Sequence, residues 1–485
     1  MLLKGLLLTP LIGAALVGLL PGRSLGLVRS VALASAATAF GYALWIAGQF
    51  DPRFAGVQFY ESQTWNPRLG SAFVLAIDGI SLSMLLLGTL LSLVAVMASA
   101  SIRERAKGYY MLLLILEAAM LGVFMARDWS LFYVFWELTL IPLFFLIDRW
   151  GGQNRHRAAL NFVLYTLGGS VFMLVALLML YDAVPGQGVF EMTLIRETGR
   201  ALPEQMQILL FLGFLIGFGV KMPIFPLHGW LPLAHVEAPS PVSILLSGVL
   251  LKMGAYGLIR VASILPAAAE ALQGLLVVLA LVSLVYGGIL AWRQRDLKAM
   301  IAYSSVSHMG VVLLGLASLN SAGITGAVMQ MVAHGLVAGA LFLLIGLLYE
   351  RTHTRDIADY SSLVRVMPRF AFFTVLALVA AIGLPGTAGF IAELHALIGG
   401  FQAWGGWIVF LSLAVLISAA YALRTVGRLF TGPVSARMQG LPDLTLTELT
   451  AAAALTGGSL LIGIYPTPAL ELIGSSVNRL TQLFL

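Results

Sequence analysis

Eight ionisable side chains of this sequence stand inside apolar runs, where a lipid bilayer would exclude them: Glu117, Glu137, Lys221, Lys252, His308, His334, Glu393 and His395. A lysine or aspartate at the centre of a spanning helix costs about 2.5–3.5 kcal/mol on insertion scales, so each such group needs a partner or a wet cavity. Groups held out of water in this way can take and release a proton near neutral pH, and a line of them suits proton relay. The plainer reading is a set of buried ion pairs that lock helix packing, or lysines that snorkel to the interface. Glu117 fits either reading, and His395, two residues beyond Glu393, fits a packing role at least as well. His308 closes the segment Ser304-Ser305-Val306-Ser307-His308, whose hydroxyls could support proton transfer through water. These histidines lack the i, i+4 pairing of a metal site. His228 and His235 flank Trp230-Leu231-Pro232 near an expected membrane face, where gating or simple solvation would serve. Asp78 opens an apolar run, and a helix N-terminus welcomes a carboxylate for structural reasons alone.

The chain around these residues is a membrane protein by composition. Of 485 residues, 60% are apolar and 10% charged, against about 25% charged in a soluble domain. The absence of cysteine excludes disulfides, thiolate zinc sites, iron–sulfur ligation and covalent haem attachment. Electron transfer must then occur on another chain. The net charge of +6 does not indicate nucleic acid, because the basic residues sit in short loops between apolar runs.

The apolar runs predict an all-α, polytopic fold of about 14 spanning helices, each needing roughly 20 residues. They fall near 2–20, 27–48, 73–100, 109–126, 130–148, 159–183, 207–231, 240–263, 270–291, 299–318, 323–349, 370–400, 404–430 and 448–473. Lys4 precedes the first run, but no small-residue cleavage site follows it, so it reads as a helix rather than a signal peptide. The connections 49–72 and 184–206 are long enough for local structure and too short for a domain. Loops after odd-numbered helices carry 18 of the 28 Lys and Arg, beginning at Arg23. The opposite side carries 8: Lys4, Arg53, Arg68, Arg127, Arg196, Arg200, Arg260 and Arg479. The positive-inside bias then puts the odd loops in the cytoplasm or its equivalent, and both termini on the positive side.

Two groups of five spans follow an N-terminal three-helix segment (1–108). In each group the fourth span carries breakers: Lys221-Met222-Pro223 with Pro226, and Gly383-Leu384-Pro385-Gly386. An odd number of spans requires the second group (264–430) to be inverted relative to the first (109–263), with a C-terminal helix in 431–485. Inverted repeats with discontinuous helices are transporter architecture.

Long motifs carry a family resemblance. FWELTLIP at 135–142, VKMPIFPLHGWLP at 220–232 and LLKMGAYG at 250–257 are similar to the antiporter-like membrane subunits of respiratory complex I. So are IAYSSVSHMG at 301–310, MVAHGL at 331–336 and GLPGTAGFIAE at 383–393. The resemblance covers about residues 70 to 430. Within the family it points to the subunit M type (mitochondrial subunit 4), because Glu393 stands where the L and N types typically carry lysine and Glu350-Arg351-Thr352-His353-Thr354 follows the eleventh span. The lateral C-terminal helix of the L type is not expected.

The resemblance implies a role for each matching position. Glu137 and Lys221 match a carboxylate and a broken-helix lysine whose interaction modulates proton affinity. Lys252 and His334 match a central hydrophilic axis, with His308 beside it and Glu393 at the proton-exchange position of the second half-channel. Glu117, His228 and His395 are accessory candidates. Many bacterial relatives have an aspartate where this chain has Leu233, which puts in doubt a role for that loop carboxylate. The implied function is that of a proton-translocating membrane-arm subunit of an NAD(P)H/quinone oxidoreductase. The alternatives are the photosynthetic ferredoxin-oxidising complex or its CO2-uptake variant, a multi-subunit cation/proton antiporter, and a scaffold whose charges only lock helices. No cofactor or metal is expected in this chain; NADH or ferredoxin, flavin, iron–sulfur clusters and quinone belong to partner subunits. Partners would be the L-like and N-like subunits and the lipid of a bacterial inner or thylakoid membrane.

Overall fold

The computed structural model describes residues 1–22, 24–186 and 188–484. Arg23, one of the basic loop residues, lies outside them. Among the described residues, 13 helices are long and apolar enough to cross a membrane. The span expected at 370–400 is divided into Pro368–Ala381 and Ala388–Trp404. Polar residues at the boundaries start several helices: Asp78 accepts from Ser81 N, Asp296 from Ala299 N and Asn320 from Gly323 N. Each satisfies an amide that the first helical turn leaves without a partner.

Burial sorts the helices into centre and periphery. The helices Ser240–Ile264, Leu297–Ala317 and Ser321–Thr352 are 100%, 94% and 94% buried over their spanning windows, against 33% for Leu25–Gln49. Lys252, His308 and His334 lie on those three central helices. The outer helices turn residues such as Leu164, Phe172 and Val175 outward, as lipid-facing or partner-facing surfaces require.

Both expected helix breaks are present. The first separates Glu204–Lys221 from Leu231–Glu237. Pro223 and Pro226 have no amide hydrogen to continue the ladder, and side chains take up part of what is freed. Trp230 Nε1 donates to Val220 O at 2.8 Å, and Phe225 N donates to Ser283 Oγ at 2.9 Å. In the second break Gly383 and Gly386 have φ of 78° and 96°, a region that glycine enters without steric cost.

Some boundaries differ from the sequence reading. The run 73–100 does not begin as a helix: Ser71–Ile77 is a strand, β2, paired antiparallel with β1 (Gln58–Asn66), and the helix starts after Asp78. This hairpin is the local structure in the 49–72 connection, and Met192–Ala201 is that of 184–206. The run 404–430 forms a 3-10 turn over Gly406–Leu411 before the helix Ser412–Phe430. The run 448–473 ends as a helix at Ile464, just before Pro466, and Thr467–Thr481 is a separate helix with Pro468 in its first turn. Glu350, Arg351 and Thr352 are the last turn of Ser321–Thr352 rather than a loop after it.

Candidate proton-relay site

Lys252 is fully buried in the most central helix, and its partners are specific. Its Nζ lies 2.6 Å from His334 Nδ1 and donates to Ser247 O at 2.6 Å. The second contact depends on a π-helical turn, Leu246–Leu250, which widens the helix and offers a carbonyl five residues behind the lysine. His334 continues outward: its Nε2 lies 3.1 Å from Ser305 Oγ, which lies 3.1 Å from Ser247 Oγ. The His334 and His308 rings are 5.2 Å apart between centroids, and Gln330 Nε2 lies 3.2 Å from His308 Nδ1.

From His308 the line reaches the broken helix. His308 Nδ1 is 3.8 Å from Glu393 Oε1, too long for a direct hydrogen bond. A cavity of about 30 Å³ is lined by both residues together with Ser307 and Ser418, and a water needs about 10–15 Å³ and polar partners. The break positions the carboxylate, since a Cβ built on Gly383 would come within 2.4 Å of Glu393 Oε2. Four of the residues singled out in the sequence therefore form one sequence of neighbours, in which Lys252, His334 and His308 are buried and Glu393 is partly so.

Lys221 ends the helix Glu204–Lys221, and Glu137 lies on Trp129–Leu138. Lys221 Nζ donates to Thr139 Oγ1 at 2.8 Å and to Trp136 O at 3.4 Å, and lies 4.2 Å from the centre of the Trp136 ring. No ion pair within 4.0 Å joins it to Glu137, and Glu137 Oε1 is buried without a hydrogen-bond partner among the described residues. The two residues are neighbours through the Trp136–Thr139 turn rather than a closed ion pair. The Lys221 helix meets the Lys252 helix closely, because a Cβ on Gly254 would lie 2.5 Å from Phe218 O and 2.7 Å from Met222 N.

The accessory candidates separate. Glu117 is buried with both carboxyl oxygens lacking partners among the described residues. His395 Nδ1 lies 2.8 Å from Ile391 O on its own helix, a local packing contact. His228 and His235 are not solvated at a face: both are buried, and His235 stacks on Phe342 with ring centroids 4.5 Å apart. The reason is that the chain re-enters a helix at Leu231 instead of leaving the bundle there. Asp78 caps its helix and also binds Arg260 at 2.6 and 2.7 Å and Arg127 at 3.2 Å. Those guanidiniums outweigh the effect of burial and hold its carboxyl well below the usual carboxylate range.

Gln330, Ser247 and Thr139 were not singled out from sequence. Gln330 is four residues before His334, on the same helix face, and that spacing is readable. The role of Ser247 depends on the π turn, which no spacing rule reveals.

Two interrupted helices beside a buried line of lysine, histidine and glutamate define a transporter-type polytopic membrane protein. The chain belongs to the NADH:quinone oxidoreductase/Mrp antiporter membrane family, whose profile matches residues 126–418, more than half of its length. It is 41% identical over 463 residues to NADH-quinone oxidoreductase subunit M of Rhodobacter capsulatus, covering 93% of this chain and 90% of that one. It is 40% identical over 478 residues to NAD(P)H-quinone oxidoreductase chain 4 2 of Thermosynechococcus vestitus, covering 96% and 89%. A chain in the structure of respiratory complex I from Thermus thermophilus with bound NADH superposes with a TM-score of 0.91 at 32% identity, covering all of both chains. The Mrp complex of Dietzia contains a chain with the same fold, at a TM-score of 0.84 and 24% identity.

Proposed function

We propose that this chain is a subunit-M-type, proton-translocating membrane-arm subunit of an NADH:quinone oxidoreductase, with Glu137, Lys221, Lys252, His334, His308 and Glu393 carrying the proton. The observation that supports this most is the buried Lys252–His334 contact of 2.6 Å, with the His308 ring 5.2 Å from that of His334 and His308 Nδ1 3.8 Å from Glu393 Oε1. Packing alone does not call for Lys252, His308 and His334 in the three best-buried helices, where unpaired ionisable groups are costly. Quinone reduction in partner subunits, which hold the flavin, iron–sulfur and quinone chemistry, would alter the charge beside Glu137. A moved carboxylate changes the field at Lys221, and a proton released there passes by Lys252 and His334 toward Glu393. The two five-helix groups act as inverted half-channels, and the L-like and N-like subunits are the neighbours. The cyanobacterial relatives, nearly as similar as the Rhodobacter chain, favour a photosynthetic type of complex as the second reading, and the subunits that co-purify with the chain decide between them.

Glu137→Gln keeps volume and removes charge, and Lys221→Ala removes the proton carrier. Both variants should assemble, then lose most quinone-linked proton pumping and much of the turnover. Were the two residues only a packing ion pair, removing one partner would cost about 3–5 kcal/mol and reduce assembly instead. Normal pumping by the assembled complex in either variant refutes the coupling role.

A further inference from the structure

Five of the eight basic residues on the basic-poor side converge on one cavity. It has a volume of about 500 Å³ and is lined by Arg127, Arg196, Arg200, Arg260 and Arg479. They come from separate parts of the chain: Arg196 and Arg200 from the Met192–Ala201 helix, Arg479 from Thr467–Thr481, Arg260 from the end of Ser240–Ile264, and Arg127 from the turn before Trp129. Four segments distant in sequence have thus brought like charges together on the side where the topology bias disfavours them.

Asp78 and Glu191 also line the cavity, and both are engaged. Asp78 binds Arg260 and Arg127 and caps its own helix. Glu191 caps Met192–Ala201, accepting from the amides of Thr193 and Leu194 at 3.2 and 3.3 Å. Among the described residues no carboxylate lies within 4.0 Å of Arg196, Arg200 or Arg479. Arg200 Nε donates to Ser263 O at 3.1 Å and Arg479 Nη1 to Ala55 O at 3.2 Å, while Arg196 Nε is buried without a partner. Burial, with the charge of Arg479 next, holds the Arg196 guanidinium below the usual arginine value, although Glu197 and Glu191 act against this. Most of the guanidinium donors of these three residues therefore remain available to a ligand.

We propose that this cavity binds a phosphate-bearing anion, held by Arg196, Arg200 and Arg479. Planar guanidinium forks match phosphate oxygens two at a time, and an anion between three like charges relieves their repulsion. Ile264, Leu480 and Leu483 add apolar wall beside the arginines, which would suit the glycerol end of a phospholipid; free phosphate offers the same group without it. The site is separate from the buried relay and does not depend on it.

The test uses the intact complex containing this chain, unaltered and as the R196Q/R200Q/R479Q variant. One arm titrates inorganic phosphate. The other reconstitutes the complex in phosphatidylcholine vesicles with and without phosphatidylglycerol, and counts retained lipid by native mass spectrometry. The glutamine variant should bind at least one probe about tenfold more weakly or worse, and the corresponding triple lysine variant should recover part of the loss. A loss confined to phosphatidylglycerol identifies a lipid headgroup as the source, and a loss of inorganic phosphate binding identifies the free anion. Should the triple variant fail to assemble, Arg479→Gln alone, at an exposed position, should give the same loss to a smaller degree. Unchanged binding of both probes in the assembled variant overturns the proposal, as would carboxylates of a neighbouring subunit found paired with these guanidiniums in the complex.

Discussion

At 2.6 Å, Lys252 Nζ and His334 Nδ1 admit a proton on either atom. An ammonium donates to the ring nitrogen of a neutral histidine, whose Nε2–H then points at Ser305 Oγ. A neutral amine instead accepts from Nδ1–H, and Ser305 meets the opposite tautomer. Either arrangement satisfies the buried polar atoms, so a proton can cross without leaving an unpaired donor behind. Glu393 is the residue where this line meets a helix break, which brings loosened backbone close to a carboxylate. Glu393→Gln should therefore assemble and lose proton exchange, while Glu393→Asp should retain part of it. Glu393→Lys places there the group expected in the L and N types, and substantial residual pumping would mean that the position needs only a titratable side chain. Full pumping in the glutamine variant, measured by dye quenching in proteoliposomes, would show that protons do not pass this position. Lys252, His334 and Glu393 were legible because charge inside an apolar run carries its own cost. The direct partners of Lys221 were less so: Glu137 drew attention as the complementary charge, yet Thr139 and the Trp136 carbonyl hold the amine.

Helix against helix, glycine sets how near the proposed relay residues come. Gly326 lies on the His334 helix, and a Cβ there would meet Ala396 N at 2.3 Å and Ala396 Cα at 2.7 Å on the Glu393 helix. These are backbone atoms, which cannot rotate away, so the two helices must separate to admit a methyl group. Small residues at such crossings are the usual means of close approach in membranes. Gly326→Ala should cost about 1–3 kcal/mol by overpacking and reduce pumping by drawing the His334 and Glu393 helices apart. Gly457→Ala, on a spanning helix with open space around the added methyl, is the control. Equal thermal stability and equal pumping in the two variants would remove this role from Gly326. The breaks were readable from Pro223, Pro226 and the Gly383–Gly386 segment. The hairpin was not, because the apolar residues of Ser71–Ile77 run without a polar interruption into Asp78 and the helix after it, and an apolar strand next to an apolar helix shows no change of character.

Across the whole molecule, the distribution of charge fixes what the helices alone leave open. Were the 13 long apolar helices of the described residues and the divided segment 368–404 each to cross once, the chain would return to the side on which it began and both termini would share a side. The 18 to 8 distribution of basic residues predicts the orientation with the connection 293–298 in the cytoplasm or its equivalent. The asymmetry is stronger than the bare count, because the convergence of five of the eight minority residues on one cavity suggests a local reason for their place. The chain contains no cysteine, so single substitutions report without background. Gln294→Cys lies in that connection, and Gln482→Cys follows the C-terminal helix Thr467–Thr481 at an exposed position. In right-side-out vesicles a membrane-impermeant maleimide should label position 482 and leave 294 unlabelled, and in inverted vesicles the pattern should reverse. Labelling of 294 from the outside, with 482 protected, would place the relay upside down in the bilayer and exchange the entry and exit sides for its protons.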